Sequence, residues 1–365
     1  MKSYTIKAAG SIHNTVDVYR DQLKDLLHIH CWQEIRHAEE LANDVIKRWQ
    51  EPHRVFHTLD HLDYIIKSIE NITEVMSFTE EQVAILILAA FYHDVIYDPK
   101  KSDNEKKSAF YFDETTGFLH TEITSNVTKI IHESNINDET TTELSRIFRK
   151  FDIGSIYDAT IEQLVEYENQ IFKEYQHVPY AQYVEGRIAV LNKLILIRPT
   201  DNHYIHELID FIKCRKVRVV VYPGSFNPFH KGHLAILKQA EEIFDKVIIA
   251  VGHNPNKADA TKQALESLNN MQATRYNEVV YIKGLLTDFI SDYESEHCDV
   301  TVVKGLRNGA DLDYEINQGR FMTDMKSDYK VVYLPCDIDY SHVSSTAIRQ
   351  LLILDPKTAH KYLPK

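Results

Sequence analysis

From about Asp17 to Cys214 apolar residues recur at helical spacing, as at Leu23, Leu26 and Leu27 and again at Val83, Leu86 and Leu88, with few β-rich alternations. This stretch predicts an all-α domain. After Arg215 the texture changes to short β-rich runs, Val217–Tyr222, Val247–Val251, Val279–Ile282, Val300–Val303 and Val331–Leu334, separated by helical stretches. Such alternation predicts an α/β domain with a parallel sheet, whose ligands lie beyond the carboxyl ends of its strands. Gly224, Gly252, Gly284 and Gly305 each fall just past an expected strand, where a site of that kind would form. The chain therefore divides into residues 1–214 and 215–365.

Composition narrows the partners. The formal net charge of −13, from 41 Lys and Arg against 54 Asp and Glu, argues against nucleic acid and anionic membranes, because both call for a basic footprint. A small phosphorylated ligand held by a few local cations remains compatible. Cys31, Cys214, Cys298 and Cys336 are scattered and form no CxxC, so neither a zinc knuckle nor a disulfide framework is expected. The segment MKSYTIKAAG lacks a signal-type apolar core, and the run Val83–Tyr92 is too short to span a bilayer. A soluble, cytoplasmic protein is the expectation.

Candidate chemistry concentrates first in YPGSFNPFHKGH (222–233), which follows a β-branched run and precedes an amphipathic segment. It has the order of a strand, a phosphate-binding turn and a helix start. Gly224 allows close backbone approach, while His230 and His233 lie three apart where the helix begins and can face an α-phosphate. Three further segments sit at strand ends or a helix start: Asn254 to Lys257, Lys304-Gly305-Leu306-Arg307, and Val343-Ser344-Ser345-Thr346. Lysine supplies a point charge, arginine a bidentate fork, and the Ser-Ser-Thr turn hydroxyls and amides, all suited to phosphate.

The 222–233 stretch resembles the (H/T)xGH signature of the nucleotidylyltransferase superfamily. Tyr222–Leu363 as a whole resembles phosphopantetheine adenylyltransferase, including KGLRNGADLDYE (304–315) and the closing KYLP. The resemblance implies a Rossmann-like domain that transfers AMP from ATP to 4′-phosphopantetheine with Mg²⁺ on the pyrophosphate side, and a homo-oligomer. It places Ser225 and Lys257 on the acceptor phosphate and His233, with His230 beside it, on the ATP α-phosphate. Arg307, Glu315 and Ser344–Thr346 would hold the nucleotide, with Gly224, Phe226, Lys304, Gly305 and Arg349 completing the site. Departures bear on the acceptor: His230 replaces a threonine, Asn227 an aspartate and Lys304 an arginine, and the family's Glu-Glu-Arg after Lys257 is missing. His230 and VSSTAIR with Arg349 look instead like nicotinamide-mononucleotide adenylyltransferases or cytidylyltransferases, so those acceptors or CTP stay open.

In the first half the informative residues are His57, His61, His93, Asp94 and Asp152. His57 and His61, four apart, would share a helix face, and the adjacent His93-Asp94 at a helix end can present imidazole and carboxylate to one cation. The segments EPHRVFHTLDH (51–61), AAFYHDVIYDPKKSDNEKKSA (89–109), FDIGSIYDA (151–159) and EYQHVPYAQYVEGRIAVL (174–191) resemble a group of metal-dependent HD-superfamily phosphohydrolases. That resemblance implies His61, His93, Asp94 and Asp152 as ligands of a divalent metal. It makes His57 a general acid by analogy with the YHxxxH motif of related phosphodiesterases, Phe56 standing where the tyrosine would be. Two imidazoles and two carboxylates suit Mn²⁺, Fe²⁺ or Zn²⁺ better than Mg²⁺. A different function for this half, a nucleotide sensor or oligomerisation module without turnover, stays open. His132 is expected to be partly buried without a ligand role, and Lys100, Lys101, Lys106 and Lys107 to be a solvated run.

Overall fold

A computed structural model describes residues 12–30, 34–116, 122–199, 203–252, 258–295 and 297–364. By its contacts the chain forms two compact units, 1–174 with 193–208 and 175–192 with 209–365. No helix among the described residues is long and apolar enough to cross a membrane.

The elements of the first unit, among its described residues, are all helices. Its centre is the helix Glu80–Tyr92, in which every residue from Ala84 to Tyr92 is buried. A helix apolar all round belongs inside a core, which explains the long apolar run read from the sequence. Thr79 and Gln82 form a capping box at its start, satisfying two otherwise orphaned backbone donors. At its other end the core helix delivers His93 as its C-cap. The helix Leu59–Val75 packs against it through Leu62, Ile65, Ile66 and Ile69, and Glu143–Asp152 through Phe148.

The second unit carries the five expected strands: β1 (Val217–Gly224), β2 (Lys246–Gly252), β3 (Glu278–Ile282), β4 (Cys298–Leu306) and β5 (Val331–Pro335). All neighbours pair in parallel, in the order β3-β2-β1-β4-β5. Buried β-branched runs such as Val219–Val221 and Val247–Ile249 are what a parallel sheet covered on both faces requires. The strands extend past the apolar runs, so Gly224, Gly252 and Gly305 lie inside their last turns of pairing rather than beyond them. The order reverses between β1 and β4, the switch point at which ligands bind in such sheets.

Residues 175–192 belong to this unit by specific polar contacts. Lys246, at the start of β2, has a fully buried side chain. Its ammonium donates to the carbonyls of Gln176 at 2.5 Å and Val178 at 2.9 Å and pairs with Glu278 at 2.9 Å. Three acceptors satisfy its three donors, so the charge can remain in the interior. Tyr293 joins the network by donating to Glu278 and accepting from the Tyr180 amide.

Candidate functional site

In the second unit a cavity of about 350 Å³ opens at the ends of β1 and β4, lined among others by Gly224, His230, His233, Lys304, Gly305 and Arg307. Both glycines are required by close approach. A Cβ on Gly224 would lie 2.7 Å from the Phe226 ring, and one on Gly305 2.8 Å from Ile236. Phe226 itself takes a left-handed backbone with φ 45°, costly for a bulky residue, and is held by burial against Tyr222, Phe229 and His233.

His230 is the N-cap of the helix Lys231–Ile243, and His233 is its third residue. Each backbone N–H donates to the other residue's Nδ1, both at 3.3 Å, and the two rings stack with centroids 3.6 Å apart. An Nδ1 that accepts a backbone proton carries none of its own, so the neutral imidazoles present Nε2–H as donors. Burial, with Arg307 adding to it, brings His230 down to about 4; burial, His230 and Arg307 push His233 well below its ordinary value. Paired neutral donors at a helix N-terminus suit an anion whose charge is met by nearby cations.

The remaining expected residues divide. Glu315, Ser344 and Ser345 line the cavity, but Lys304 is paired with Glu315 at 3.1 Å, and Asp311 holds Arg307 bidentately at 2.8 and 3.0 Å. Asp311 was missed by sequence reasoning; it stands in the first turn of the helix Gly309–Met325, while Arg307 precedes that helix's N-cap, Asn308. Ser344 caps the helix Ser345–Leu354, its hydroxyl accepting from the Ala347 amide. Ser225, Thr346 and Arg349 stand outside the cavity lining. Arg349 donates to the Asn227 carbonyl and to Thr346, and Ser345 to the Pro228 carbonyl, bracing the motif loop. Lys257 lies outside the described residues.

In the first unit His61, His93, Asp94 and Asp152 converge. One ligand atom each from His61, His93 and Asp94 lies within 4.8 Å of the others. Asp152 joins them, 3.2 Å from His61 Nε2 and 3.4 Å from His93 Nε2, while Asp94 is 3.2 Å from His93 Nε2. His93 Nδ1 faces the Ala90 carbonyl at 2.9 Å, and since a carbonyl only accepts, Nδ1 holds the proton. Its Nε2, turned to the carboxylates, is buried without a directed hydrogen bond, as is His61 Nδ1. Burial opposes charge on His93, but Asp94 and Asp152 outweigh it and raise the imidazole well above its usual value. Burial dominates at His61 and lowers it. Both carboxylates are held far below their usual range by the histidines despite burial. His61, His93 and Asp94 lie close enough together for one divalent cation, with Asp152 paired to both histidines beside them.

His57 does not share a helix face with His61. The helix starts at Leu59 with Thr58 as N-cap, its hydroxyl accepting from Asp60, so His57 is in the preceding loop. Its position comes instead from Glu174, whose carboxylate meets His57 Nδ1 at 2.7 Å, and its Nε2 is 4.0 Å from Asp94. Burial opposes a charged His57, yet Glu174 prevails and raises it, while the same contacts pull Glu174 down to about 2 against its burial. Arg54, its side chain fully buried, donates to the carbonyls of Asp94 at 2.8 Å and His57 at 3.4 Å, tying the loop to the His93-Asp94 turn. Neither Glu174 nor Arg54 was singled out from sequence. For Glu174 the available signal was a carboxylate three residues after buried Ile171. His132 is exposed rather than partly buried.

Comparison with known proteins places the second unit. A family model described as cytidylyltransferase-like matches residues 221–351. A phosphopantetheine adenylyltransferase from Kocuria rhizophila is 35% identical over 138 residues, covering 38% of this chain and 88% of that protein. Its namesake from Mycoplasma capricolum is 38% identical over 138 residues, covering 37% and 96%, and that from Clostridium novyi 30% over 146 residues, covering 38% and 84%. Through this carboxy-terminal region the chain belongs to the phosphopantetheine adenylyltransferase family of cytidylyltransferase-like proteins.

Proposed function

We propose that the second unit transfers AMP from ATP to 4′-phosphopantetheine, giving dephospho-coenzyme A and pyrophosphate. The observation that carries this is the near-full-length match to relatives of that name, together with stacked neutral donors at the switch point. An acceptor phosphate oxygen attacks the α-phosphorus in line, the bond to the bridging oxygen breaks, and pyrophosphate leaves with that electron pair. No protein nucleophile is needed, so catalysis is positioning and charge neutralisation. His230 and His233 donate Nε2–H to the α-phosphate, and Arg307, released from Asp311, supplies positive charge. Mg²⁺ accompanies the triphosphate. An acceptor-by-nucleotide panel with pyrophosphate detection tests this on the full chain. Faster reaction by an order of magnitude with nicotinamide mononucleotide, or with CTP, would reassign the substrate.

For the first unit we propose a phosphohydrolase of the HD type that depends on a divalent transition metal. Its support is the convergence of His61, His93 and Asp94, with Asp152 beside them and His93 Nε2 turned to the carboxylates without a directed hydrogen bond. When bound, the ion supplies an activated water and neutralises phosphoryl charge. His61, His93, Asp94 and Asp152 hold it, and His57 gives a proton to the leaving oxygen. Elemental analysis after reconstitution with Mn²⁺, Fe²⁺ or Zn²⁺, paired with a phosphoester panel, decides the matter. Metal without turnover would favour a sensor.

A further inference from the structure

Glu174, the last residue of the helix Ile161–Glu174, is 1% exposed. A carboxylate so deeply buried is costly unless both oxygens are satisfied. Here one oxygen accepts from the amides of Val55, Phe56 and His57, at 2.7, 2.8 and 3.0 Å. The other accepts from the Tyr97 hydroxyl at 2.6 Å and from His57 Nδ1 at 2.7 Å. The Tyr97 ring also stacks on His57, with centroids 4.3 Å apart. One side chain therefore fixes the loop backbone, the tautomer and the plane of a single imidazole. Because the carboxylate accepts, Nδ1 keeps its proton, and Nε2 is left as the atom that exchanges one beside Asp94.

We infer that Glu174 is the positioning residue that makes His57 a proton donor, and that the site is built for phosphoesters with an alcohol or phenol leaving group. This rests on the hydrolase proposal. In the step, the oxygen of water bonds to phosphorus as the ester P–O bond breaks. That bond's electron pair goes to the leaving oxygen, which takes the Nε2 proton, and the proton released by water restores His57 through solvent. Such donation matters most where the leaving oxygen is a poor one, and little where it is already stabilised.

The test compares phenyl phosphate with 4-nitrophenyl phosphate on the metal-reconstituted full chain, in wild type, Glu174→Gln and Tyr97→Phe. Glu174→Gln should lower kcat for the phenyl ester about a hundredfold, with KM and metal content unchanged, and for the nitrophenyl ester less than tenfold. Tyr97→Phe, which keeps the His57 pair but removes one donor on the shared oxygen, should show the same selectivity at smaller size, and serves if the first variant does not fold. Independently of activity, ¹⁵N-histidine spectra of the metal-free protein should show His57 protonated at Nδ1 in wild type and not in Glu174→Gln. Equal loss on both esters, or an unchanged His57 spectrum, overturns the inference alone. A wild type that hydrolyses pyrophosphate but neither ester overturns the substrate class, and one that hydrolyses nothing overturns the hydrolase proposal as well.

Discussion

Two histidines of the first unit are raised above their ordinary values by carboxylates, His93 between Asp94 and Asp152 and His57 against Glu174, whereas burial lowers His61 beside them. In the second unit His230 and His233 stand against each other and near Arg307, and both are lowered. The same side chain at similar burial is thus prepared for opposite charges. An anionic surround favours positive charge on an imidazole, and a surround of backbone amides and arginine keeps imidazoles neutral and donating toward an anion. The contrast lies in the neighbours, so it can be broken by changing neighbours.

The largest effect is expected at Asp94. Asp94→Ala should abolish both metal retention and phosphoester hydrolysis while adenylyl transfer continues, as read by elemental analysis and the two assays on one preparation. Loss of transfer in a folded variant would mean that the two activities are coupled. Next in size, His233→Ala should lower adenylyl-transfer turnover roughly a hundredfold, since a donor aimed at the transition state is worth about 3 kcal/mol, with ATP affinity little changed. Near-normal turnover would remove the stacked pair from the chemistry. The smallest effect is on stability. His230 titrates at about 4 in the fold against 6.5 ordinarily, so between those values the unfolded chain binds more protons than the folded one. Stability of the second unit therefore rises with pH, is fully present above the ordinary value, and is lost as pH falls toward 4. Urea midpoints read from amide signals of β1–β5 at pH 7 and pH 5 should show the drop, and His230→Asn should lessen it, the part owed to His233 remaining.

What could be foreseen was what is local in the chain. The five strands announce themselves because parallel strands buried on both faces are runs of β-branched residues. The helix start at His230 is legible because a cap and its third residue are neighbours. The adjacent His93 and Asp94 at the end of a buried helix were legible for the same reason. The partner of His57 was not, since Glu174 is 117 residues away and only tertiary packing brings it near. Thr58 also overrode the helical spacing of His57 and His61 by capping between them. The pairs that occupy Lys304 and Arg307 show the same limit: a sequence tells which cations are present, but not which are already engaged.

Lys246 has a practical consequence for anyone who would separate the two units. Expression from residue 215 onward keeps every strand, yet it discards the Gln176 and Val178 carbonyls that accept two of the three ammonium protons. The amine left behind would keep one of its three acceptors, Glu278, and a burial already depressing its basicity would then favour losing the proton or admitting water. A gene boundary drawn before Tyr175 preserves those acceptors, so the transferable module for domain shuffling is longer than its family match.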